Sequence, residues 1–419
     1  MIEIQGKYEK AIIYNDNVEE EAYKQILELT NHPMSKDSNI RIMPDVHAGK
    51  GCVIGYTAKL TDKLVPNLIG VDIACGVLVA KLNKIKIDFQ KLDDFIRINI
   101  PLGRNVREDI SPNIEKLFNT FESFNIFSKA ICELAEETNQ NIAYVIQSLG
   151  TLGGGNHFIE IDIDEDDNKY LLVHTGSRNF GKCIAEYYQD IAVKNIIGMS
   201  KEIFDEKINE IRQKFSGKEI EKQINKLRNI CKPKKTGLEY LERPHIDRYL
   251  DAMQVAQLYA QVNRRIIGSS ISEFLGVIDP YILETVHNYI DFDDNIIRKG
   301  AIAAPEGKEL IIPLNIRDGA ILGKGKGNSD WNCSAPHGAG RICSRGDAKR
   351  QFNIEDYERE MKGIWSSSVN ESTLDESPFA YKNSEEIINY LEPTVEVVKR
   401  LKPIYALKDD TNNRRKNEI

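Results

Sequence analysis

The sequence lacks the features that mark secreted and membrane-spanning proteins. Its first residues carry neither a basic stretch nor an apolar segment, which excludes a signal peptide. No apolar run approaches the ~20 residues that a transmembrane helix needs. The seven cysteines are an odd number without paired spacing, which favours reduced thiols over a disulfide framework. These absences predict a soluble, cytoplasmic protein with no membrane partner.

Positive charge is also in deficit. The formal net charge is −8, from 56 Lys and Arg against 64 Asp and Glu. This balance argues against a protein that coats nucleic acid by bulk electrostatics, although a local basic groove stays open. Rossmann and P-loop fingerprints are missing too, because Gly153-Gly154-Gly155 and Gly325-Lys326-Gly327 lack the required spacing. A nucleotide site in this chain must therefore be of another kind.

What is present is a globular pattern in which strands alternate with helices but short βαβ crossovers are absent. Residues 199–236 are dominated by Lys, Glu, Asn and Gln, which predicts a charged helical excursion. The last residues, 409–419, are predicted to be a disordered tail. Other expected strands lie at 2–5, 11–14, 77–82 and 169–173 and within 296–328. The other expected helices lie at 17–30, within 87–148, at 183–197, at 246–268 and at 383–400.

The stretch 67–76 places Asp72 and Cys75 in an apolar run bracketed by glycines. A carboxylate and a thiol at this spacing converge only in a tight turn, which Gly70 and Gly76 permit. Carboxylate with thiolate is a ligand pair for a transition metal rather than for calcium or magnesium. A buried strand end with a capping Asp and a small apolar Cys explains this stretch, taken alone, equally well.

Histidine is scarce, with seven in the chain, and five of them lie near glycine or Asn at predicted strand–loop junctions: 47, 157, 174, 287 and 337. One such histidine is more often a structural hydrogen-bonding residue, whereas five together with Asp72 and Cys75 favour a metal-centred site. One thiolate can bridge two metals, and two metals form a clamp for displacement at phosphorus. Glycine-rich loops at 153–155 and 338–340 could approach phosphates, so the residues predict phosphoryl chemistry without naming a substrate.

Six motifs in order along the chain resemble those of the RtcB family, the GTP- and manganese-dependent RNA ligases. They are Met43-Pro44-Asp45-Val46-His47, Gly70-Val71-Asp72 with Cys75-Gly76, Gly155-Asn156-His157-Phe158 with Glu160, His174 with Gly176-Ser177-Arg178, His287-Asn288-Tyr289, and His337-Gly338-Ala339-Gly340-Arg341. The resemblance covers nearly the whole chain. It implies one catalytic domain over 1–408 with the family's own α+β (mixed α/β) fold, central β-sheets flanked by helices.

The resemblance also implies a role for each site residue. His337 would attack GTP and become guanylylated, with Asp45 orienting its ring. Two Mn²⁺ ions would be bound by Asp72, Cys75, His157, His174 and His287, with Cys75 bridging. The nucleotide would be contacted at phosphate by Asn156, Asn288 and Arg341, at guanine by Glu160 and Lys408, and elsewhere by Asn315, Gly338 and Tyr381.

The implied reaction joins RNA bearing a 2′,3′-cyclic phosphate or 3′-phosphate to RNA bearing a 5′-hydroxyl, in RNA repair or tRNA splicing. The cyclic phosphate is opened, GMP passes from His337 to the 3′-phosphate, and the 5′-hydroxyl displaces GMP. The resemblance also allows for an activating protein such as archease. One alternative is a manganese-dependent phosphoesterase that opens cyclic phosphate without sealing, and another is a non-catalytic module that binds RNA ends.

The chain departs from the family pattern around the nucleotide pocket. Pro313-Leu314-Asn315-Ile316-Arg317 stands where many members read Pro-Gly-Ser-Met-Gly, and Ala320 stands where a second guanine-facing serine is typical. Ser334-Ala335-Pro336 replaces a serine-cysteine-serine run. These changes identify a divergent, bacterial-type member. For a local basic surface that recruits RNA, the candidates are Arg178, Arg345, Lys349 and Arg350.

Overall fold

The computed structural model describes residues 1–108, 124–196, 201–230 and 236–411, and within these ranges strands and helices are mixed along the chain. The strands are β1 (Ile2–Gln5), β2 (Lys10–Ile13), β3 (Ile40–His47), β4 (Ile54–Lys59), β5 (Gly76–Asn83), β6 (Phe158–Ile163), β7 (Lys169–Thr175), β8 (Ile282–Val286), β9 (Asn288–Ile290), β10 (Ile296–Lys299), β11 (Ala301–Ala303), β12 (Glu309–Asn315), β13 (Gly319–Gly325), β14 (Ser334–Pro336) and β15 (Val395–Lys408). The helices are α1 (Glu20–Thr30), α2 (Phe89–Asn99), α3 (Phe124–Glu137), α4 (Ile142–Gln147), α5 (Arg178–Ile196), α6 (Lys201–Lys214), α7 (Lys218–Ile230), α8 (His245–Phe274), α9 (Arg345–Gln351), α10 (Ile354–Glu360) and α11 (Ser384–Tyr390). The predicted α+β fold is confirmed.

A seven-stranded antiparallel sheet in the order β12-β13-β15-β6-β7-β5-β8 carries the part of the structure that matters most for function. Its two end strands approach each other, since the Thr285 hydroxyl on β8 donates to the Ile311 carbonyl on β12 at 3.3 Å. The sheet is therefore nearly closed on itself. Apolar residues fill its inner face, including Val77, Val79, Leu172 and Leu401. Its outer face packs against α2 and α8.

The register of this sheet brings four strand ends together. On β7, His174 pairs with Val77 of β5 on one side and with Phe158 of β6 on the other. At the start of β5, Gly76 pairs with Thr175 and with Val286, which lies at the end of β8. Because neighbouring strands run antiparallel, β5 and β6 begin where β7 and β8 end. Residues that precede β5 and β6 thus meet residues that end or follow β7 and β8.

A second, six-stranded sheet has the order β1-β2-β3-β4-β10-β9, with β2 and β3 parallel and the other pairs antiparallel. Buried apolar residues of this sheet and of α1, α5 and α8 form the largest core cluster. The short strands β11 and β14 pair separately, and β14 leads directly into His337. The second sheet and the β11–β14 pair therefore carry Asp45 and His337 toward the edge described above.

One prediction for the C-terminal part is wrong. Helix α11 ends at Tyr390, residues 391–394 form a turn, and the last part of the predicted 383–400 helix belongs to strand β15, which pairs with β13 and β6. The β-branched residues Val395, Val397 and Val398 suit a strand. Pro403 is tolerated in this central strand because the register shifts between Pro403 and Tyr405. Pairing on both sides, which a local pattern does not reveal, decides the outcome.

Other predicted segments lie partly inside and partly outside the described residues. Helices α6 and α7 lie in the predicted charged excursion, and α2, α3 and α4 lie in the predicted helical region, of which 109–123 falls outside the described ranges. Of the predicted disordered tail, residues 412–419 are outside them as well, while Asp410 is buried and pairs with Arg97 at 2.9 Å. The cysteines of the described ranges are free thiols. No helix in those ranges has the length and apolar character needed to cross a membrane.

Candidate active site

A cavity of about 260 Å³ opens where the four strand ends meet. Asp45 and His157 lie immediately behind its wall: Asp45 is hydrogen-bonded to His337 at 2.7 Å, and His157 Nε2 lies 3.0 Å from Asp72 Oδ2. Every other residue predicted for the site lines it, namely Asp72, Cys75, Asn156, Glu160, His174, His287, Asn288, Asn315, His337, Gly338, Arg341, Tyr381 and Lys408. The fold thus gathers the predicted residues around a single space.

Five side chains form two groups that could each hold a metal ion, and both groups contain Cys75. In the first, His157 Nε2 lies 3.0 Å from Asp72 Oδ2 and 3.4 Å from Cys75 Sγ. In the second, His174 Nε2 lies 3.3 Å from Cys75 Sγ and 3.4 Å from His287 Nε2. Three imidazoles, a carboxylate and a cysteine sulfur are ligands of transition metals. The Cys75 sulfur is the atom that the two groups share.

The surroundings orient these side chains as metal ligands require. His157 Nδ1 donates to the Leu152 carbonyl at 2.8 Å and His174 Nδ1 to the Asn156 carbonyl at 3.2 Å, which leaves each Nε2 lone pair facing the cluster. Burial lowers the pKa of His174 and of His287 well below the ordinary value, so both rings are neutral. The buried Asp72 Oδ1 has no hydrogen-bond partner among the described residues. The donor set and this orphan oxygen fit a bound cation.

The turn that brings Asp72 beside Cys75 agrees with the prediction at Gly70, whose φ is 99°, and differs from it at Gly76. The Cys75 amide donates to the Asp72 carbonyl at 3.2 Å, and the left-handed residue of the turn is Ala74, with φ of 58°. Gly76 instead lies in β5, where its missing side chain lets the Thr285 carbonyl approach. A Cβ at Gly176 would collide with the Asp72 carboxylate. A non-glycine residue in the left-handed region needs support from its surroundings.

His337 is held in one orientation by a buried carboxylate. Its Nδ1 donates to Asp45 Oδ2 at 2.7 Å, and Asp45 is fully buried. Nε2 is then the ring atom with a free lone pair, as a nucleophile needs. The ring centroid lies 4.8 Å from that of His287, so this atom is adjacent to the metal-ligand cluster. Gly340 packs against the backbone of Asp45 so closely that any Cβ there would collide with it.

At the other end of the cavity a buried carboxylate, Glu376, joins four predicted or candidate residues. Its oxygens accept from Lys408 at 3.0 Å, from Tyr381 at 2.7 Å and from Arg341 at 3.3 Å, and Arg345 also contacts it. Burial alone would raise the pKa of Glu376, but Lys408, Arg345 and Arg341 outweigh burial and hold the pKa at about 2. The sequence reasoning missed Glu376, because its Ser-Thr-Leu-Asp-Glu-Ser setting carries no motif or periodicity that singles it out.

The remaining predicted nucleotide contacts differ in how far their side chains are engaged in hydrogen bonds within the protein. Glu160 is buried at the cavity, and burial raises its pKa to about 7 against the opposing charge of Lys408. The Asn288 amide donates to the Asp72 carbonyl at 3.2 Å and accepts from the Gly300 amide at 2.9 Å. Asn315 bonds within its own turn, including to Asp318 at 2.8 Å, and donates to the Ser384 hydroxyl at 3.2 Å. Of these three side chains, Glu160 is thus the least engaged in hydrogen bonds within the protein.

The departures and the basic candidates also have definite places. Ala320 packs in the apolar interior with Ile311 and Leu401, away from the cavity wall. Of the four basic candidates, Arg345 and Lys349 pair with Asp375, Arg350 pairs with Asp347, and Arg178 donates to the Gly103 carbonyl at 2.7 Å. These four side chains are therefore engaged within the protein. His47 lines the cavity but belongs to neither metal-ligand group.

Fold and cavity together define a mixed α+β protein in which an oriented histidine adjoins a cluster able to hold two metal ions. A family model described as tRNA-splicing ligase RtcB matches residues 25–409. The chain belongs to the RtcB family of RNA ligases.

Curated relatives agree with this assignment over almost their full lengths. The RNA-splicing ligase RtcB of Escherichia coli strain K12 is 27% identical over 422 residues, which cover 93% of this chain and 95% of the relative. The tRNA-splicing ligase RtcB of Aeropyrum pernix is 25% identical over 448 residues, covering 88% of this chain and 87% of the relative. The similarity therefore spans bacterial and archaeal proteins, and the family match over residues 25–409 includes every segment that lines the cavity.

Proposed function

We propose that this chain joins RNA 2′,3′-cyclic phosphate or 3′-phosphate ends to 5′-hydroxyl ends through a guanylylated His337, using GTP and two Mn²⁺ ions. The observation that carries the proposal is the pairing of His337 Nδ1 with buried Asp45 beside two ligand groups that share Cys75. Membership of a family of RNA ligases agrees with it. RNA repair and tRNA splicing are the settings in which such ends are joined.

Five side chains would hold the two ions, with Cys75 as the common ligand: Asp72, Cys75 and His157 for one, and Cys75, His174 and His287 for the other. When bound, manganese supplies Lewis-acid polarisation of phosphoryl oxygens. The neutral rings of His174 and His287 bind a cation without first losing a proton. Behind the ligands, the carbonyls of Leu152 and Asn156 keep the rings of His157 and His174 aimed at the cluster.

In the first covalent step, His337 Nε2 attacks the α-phosphorus of GTP, a nitrogen–phosphorus bond forms, and pyrophosphate leaves. Asp45 stabilises the positive charge that develops on the ring, because its carboxylate accepts from Nδ1. Where the RNA ends in a 2′,3′-cyclic phosphate, water first attacks its phosphorus and the O2′ leaves as a hydroxyl, which gives the 3′-phosphate. In the second step an oxygen of the RNA 3′-phosphate attacks the phosphorus of the bound GMP and His337 leaves. In the third step the 5′-hydroxyl attacks the RNA phosphorus and GMP leaves.

The opposite end of the cavity suits a guanine nucleotide. Glu160 offers a carboxylate that can accept from guanine N–H groups, and Lys408 lies 5.2 Å above the Phe158 ring and pairs with Glu376. Arg341 follows His337 by four residues, lines the same cavity and can contact a phosphate there. An activator of the archease type stays a prediction from the family resemblance.

The test is covalent labelling. Wild-type protein, His337→Ala and His245→Ala are incubated with α-labelled GTP and Mn²⁺, and protein-bound label is measured after denaturation. His245 begins helix α8 outside the cavity, which makes it a matched histidine control. We expect label on wild type and on the control only, stable to base and lost in acid, as a phosphoramidate requires. Absence of label at every Mn²⁺ concentration would refute the ligase proposal and favour the phosphoesterase alternative.

A further inference from the structure

Two consecutive buried residues of helix α8 contact every segment that carries a candidate metal ligand. Asn263 is fully buried and Arg264 is 1% exposed. Neither lines the cavity, and neither belongs to the motifs that the sequence reasoning singled out. A buried arginine and a buried amide must satisfy all their hydrogen-bonding groups inside the protein. The partners that they use are therefore informative.

Arg264 binds three of the ligand segments at once. One terminal nitrogen donates to the Ala74 carbonyl at 2.8 Å and to the Thr175 carbonyl at 3.1 Å. Ala74 is the left-handed residue between Asp72 and Cys75, and Thr175 follows His174. The guanidinium also pairs with Glu284 at 3.1 Å, on the strand that leads into His287.

Asn263 binds the loop that leads to His157 and the end of β7. Its side-chain oxygen accepts from the amides of Gly150 at 2.7 Å and Thr151 at 3.1 Å. Its amide nitrogen donates to the carbonyls of Thr151 at 3.2 Å and Gly176 at 3.1 Å. Thr151 immediately precedes Leu152, whose carbonyl orients the His157 ring. The oxygen and the nitrogen of this one side-chain amide thus join two ligand segments.

The ligand cluster needs such support because its donor atoms crowd one another. The His157 Nε2 lone pair faces the Asp72 carboxylate at 3.0 Å, and the His174 and His287 Nε2 atoms lie 3.4 Å apart. Electron pairs this close repel each other until a cation binds between them. Contacts from outside the cluster must hold the four segments in place meanwhile.

We propose that Asn263 and Arg264 are positioning residues that preassemble the ligand cluster for metal binding. The inference rests on the proposed metal site and adds the means by which the fold builds it. Arg264 holds the Asp72–Cys75 turn against the end of β7 and the start of the His287 segment. Asn263 holds the His157 loop against the same strand end. Contacts behind metal ligands typically change metal affinity about 10–100-fold when they are removed.

The chain supplies a matched control in the next residue. Arg265 donates to the other oxygen of Glu284 at 2.9 Å, and its side chain is 47% exposed. Among the described residues, its hydrogen bond and its ion pair are both with Glu284. Arg264→Gln and Arg265→Gln therefore each remove one guanidinium from Glu284, but only the former releases the carbonyls of Ala74 and Thr175. Any difference between the two variants reports on the ligand segments.

The experiment titrates the metal-free full-length protein with Co²⁺ and follows the thiolate-to-cobalt charge-transfer absorption and the visible ligand-field bands. We expect Arg264→Gln to bind Co²⁺ about 10–100-fold more weakly than wild type, with altered ligand-field bands. Arg265→Gln should match wild type in both respects. Asn263→Ala should weaken binding in the same way as Arg264→Gln. Circular dichroism, measured below the melting transition of each variant, confirms that the folded fraction is equal.

Arg264→Lys keeps the measurement decisive if Arg264→Gln does not fold. Lysine retains the charge beside Glu284 but cannot reach two carbonyls with a planar fork, so we expect weakened Co²⁺ binding in folded protein. Equal affinity and equal spectra for the Arg264 variants and for Arg265→Gln would overturn the positioning role while leaving the metal site intact. Absence of any cobalt spectrum in wild type would instead overturn the metal site, and this inference with it.

Discussion

The two ends of the cavity have opposite electrostatic character. At one end, the side chains of Asp72, Cys75, His157, His174 and His287 turn their electron pairs toward one another at 3.0–3.4 Å. At the other, the single carboxylate of Glu376 is surrounded by Lys408, Arg341 and Arg345. The first end needs cations from outside, whereas at the second end the protein's own cationic side chains neutralise the buried carboxylate.

This difference predicts which contributions to folding stability depend on a bound ligand. A cluster of mutually repelling donors becomes more stable when a cation binds, so its contribution to folding depends on metal. An internally paired network contributes to folding without a ligand. Variants at the first end should therefore change metal-dependent properties, and variants at the second end should change intrinsic stability.

The largest effect is expected for Cys75→Ser, because it removes the ligand common to both metal groups. Ligation and GMP adduct formation should fall by about 10⁴-fold, and the thiolate-to-cobalt band should disappear. Gel assays of RNA joining measure the first and absorption spectra the second. Cys183→Ser, on helix α5 and outside the cavity, is the thiol control and should behave as wild type. Joining within tenfold of wild type would contradict a bridging role for Cys75.

Asp45→Asn should reduce the rate of His337 guanylylation by about 10³-fold. The amide keeps the shape of the carboxylate but cannot stabilise a positive imidazole, and it also favours the wrong ring tautomer. Single-turnover labelling with α-labelled GTP measures this rate. Co²⁺ affinity should stay at the wild-type value, because Asp45 belongs to neither metal-ligand group. A loss of cobalt binding would show that Asp45 acts through the cluster instead.

Glu376→Gln tests the self-neutralised end. Removing the carboxylate leaves Lys408, Arg341 and Arg345 facing one another, so the free energy of unfolding at neutral pH should fall by about 3 kcal/mol. Urea denaturation of the metal-free protein measures it. The exposed carboxylate of Glu371 provides the control Glu371→Gln, which should change stability by less than about 0.5 kcal/mol. Equal stability of both variants would refute the paired-network interpretation.

The same carboxylate gives a pH dependence of known sign. Its folded-state pKa of about 2 lies below the ordinary 4.5, so the folded state binds the proton more weakly than the unfolded state. The stabilisation is therefore complete above about pH 4.5 and is lost as the pH falls toward about 2. The stability difference between wild type and Glu376→Gln should narrow across that window. A constant difference there would contradict the assigned ion pairs.

Chelation should have a smaller effect, confined to the metal end. At a free metal concentration of 100 times Kd, bound metal adds about 2.7 kcal/mol to the stability of the folded state. Removing Mn²⁺ with EDTA should therefore lower the Tm of wild type by several degrees in differential scanning calorimetry. Cys75→Ser should show no such decrease. An equal decrease in both proteins would place the stabilising metal elsewhere.

The smallest effect concerns Glu160 and guanine. Burial raises the pKa of this carboxyl to about 7, so its ionised fraction grows between about pH 6 and pH 8. Since a carboxylate accepts from guanine N–H groups better than a carboxylic acid does, the affinity for guanosine should rise about tenfold over that range. The measurement uses guanosine instead of GTP, because guanosine carries no phosphate group that titrates in this range. Calorimetric affinities for Glu160→Gln should be independent of pH.

Much of the candidate site could be predicted because its chemistry is written in short motifs. Asp72 with Cys75, Asn156 with His157, and His337 with Arg341 are a few residues apart, at spacings that a single sequence displays. Their meeting around one cavity follows from the antiparallel registers of β5, β6, β7 and β8. Register depends on pairing between distant segments, which local patterns do not specify.

By itself, the sequence determined the residue types that can bind metal, and its family resemblance indicated the α+β class and singled out Asp45 and His337. Only the tertiary structure decided the strand identity of β15, the left-handed turn at Ala74, and the roles of Glu376 and Arg264. Each of these depends on partners over 30 residues away in the chain or on pairing with two neighbouring strands. Residue type and spacing reveal what a side chain can do, whereas burial and long-range contacts determine whether it does so.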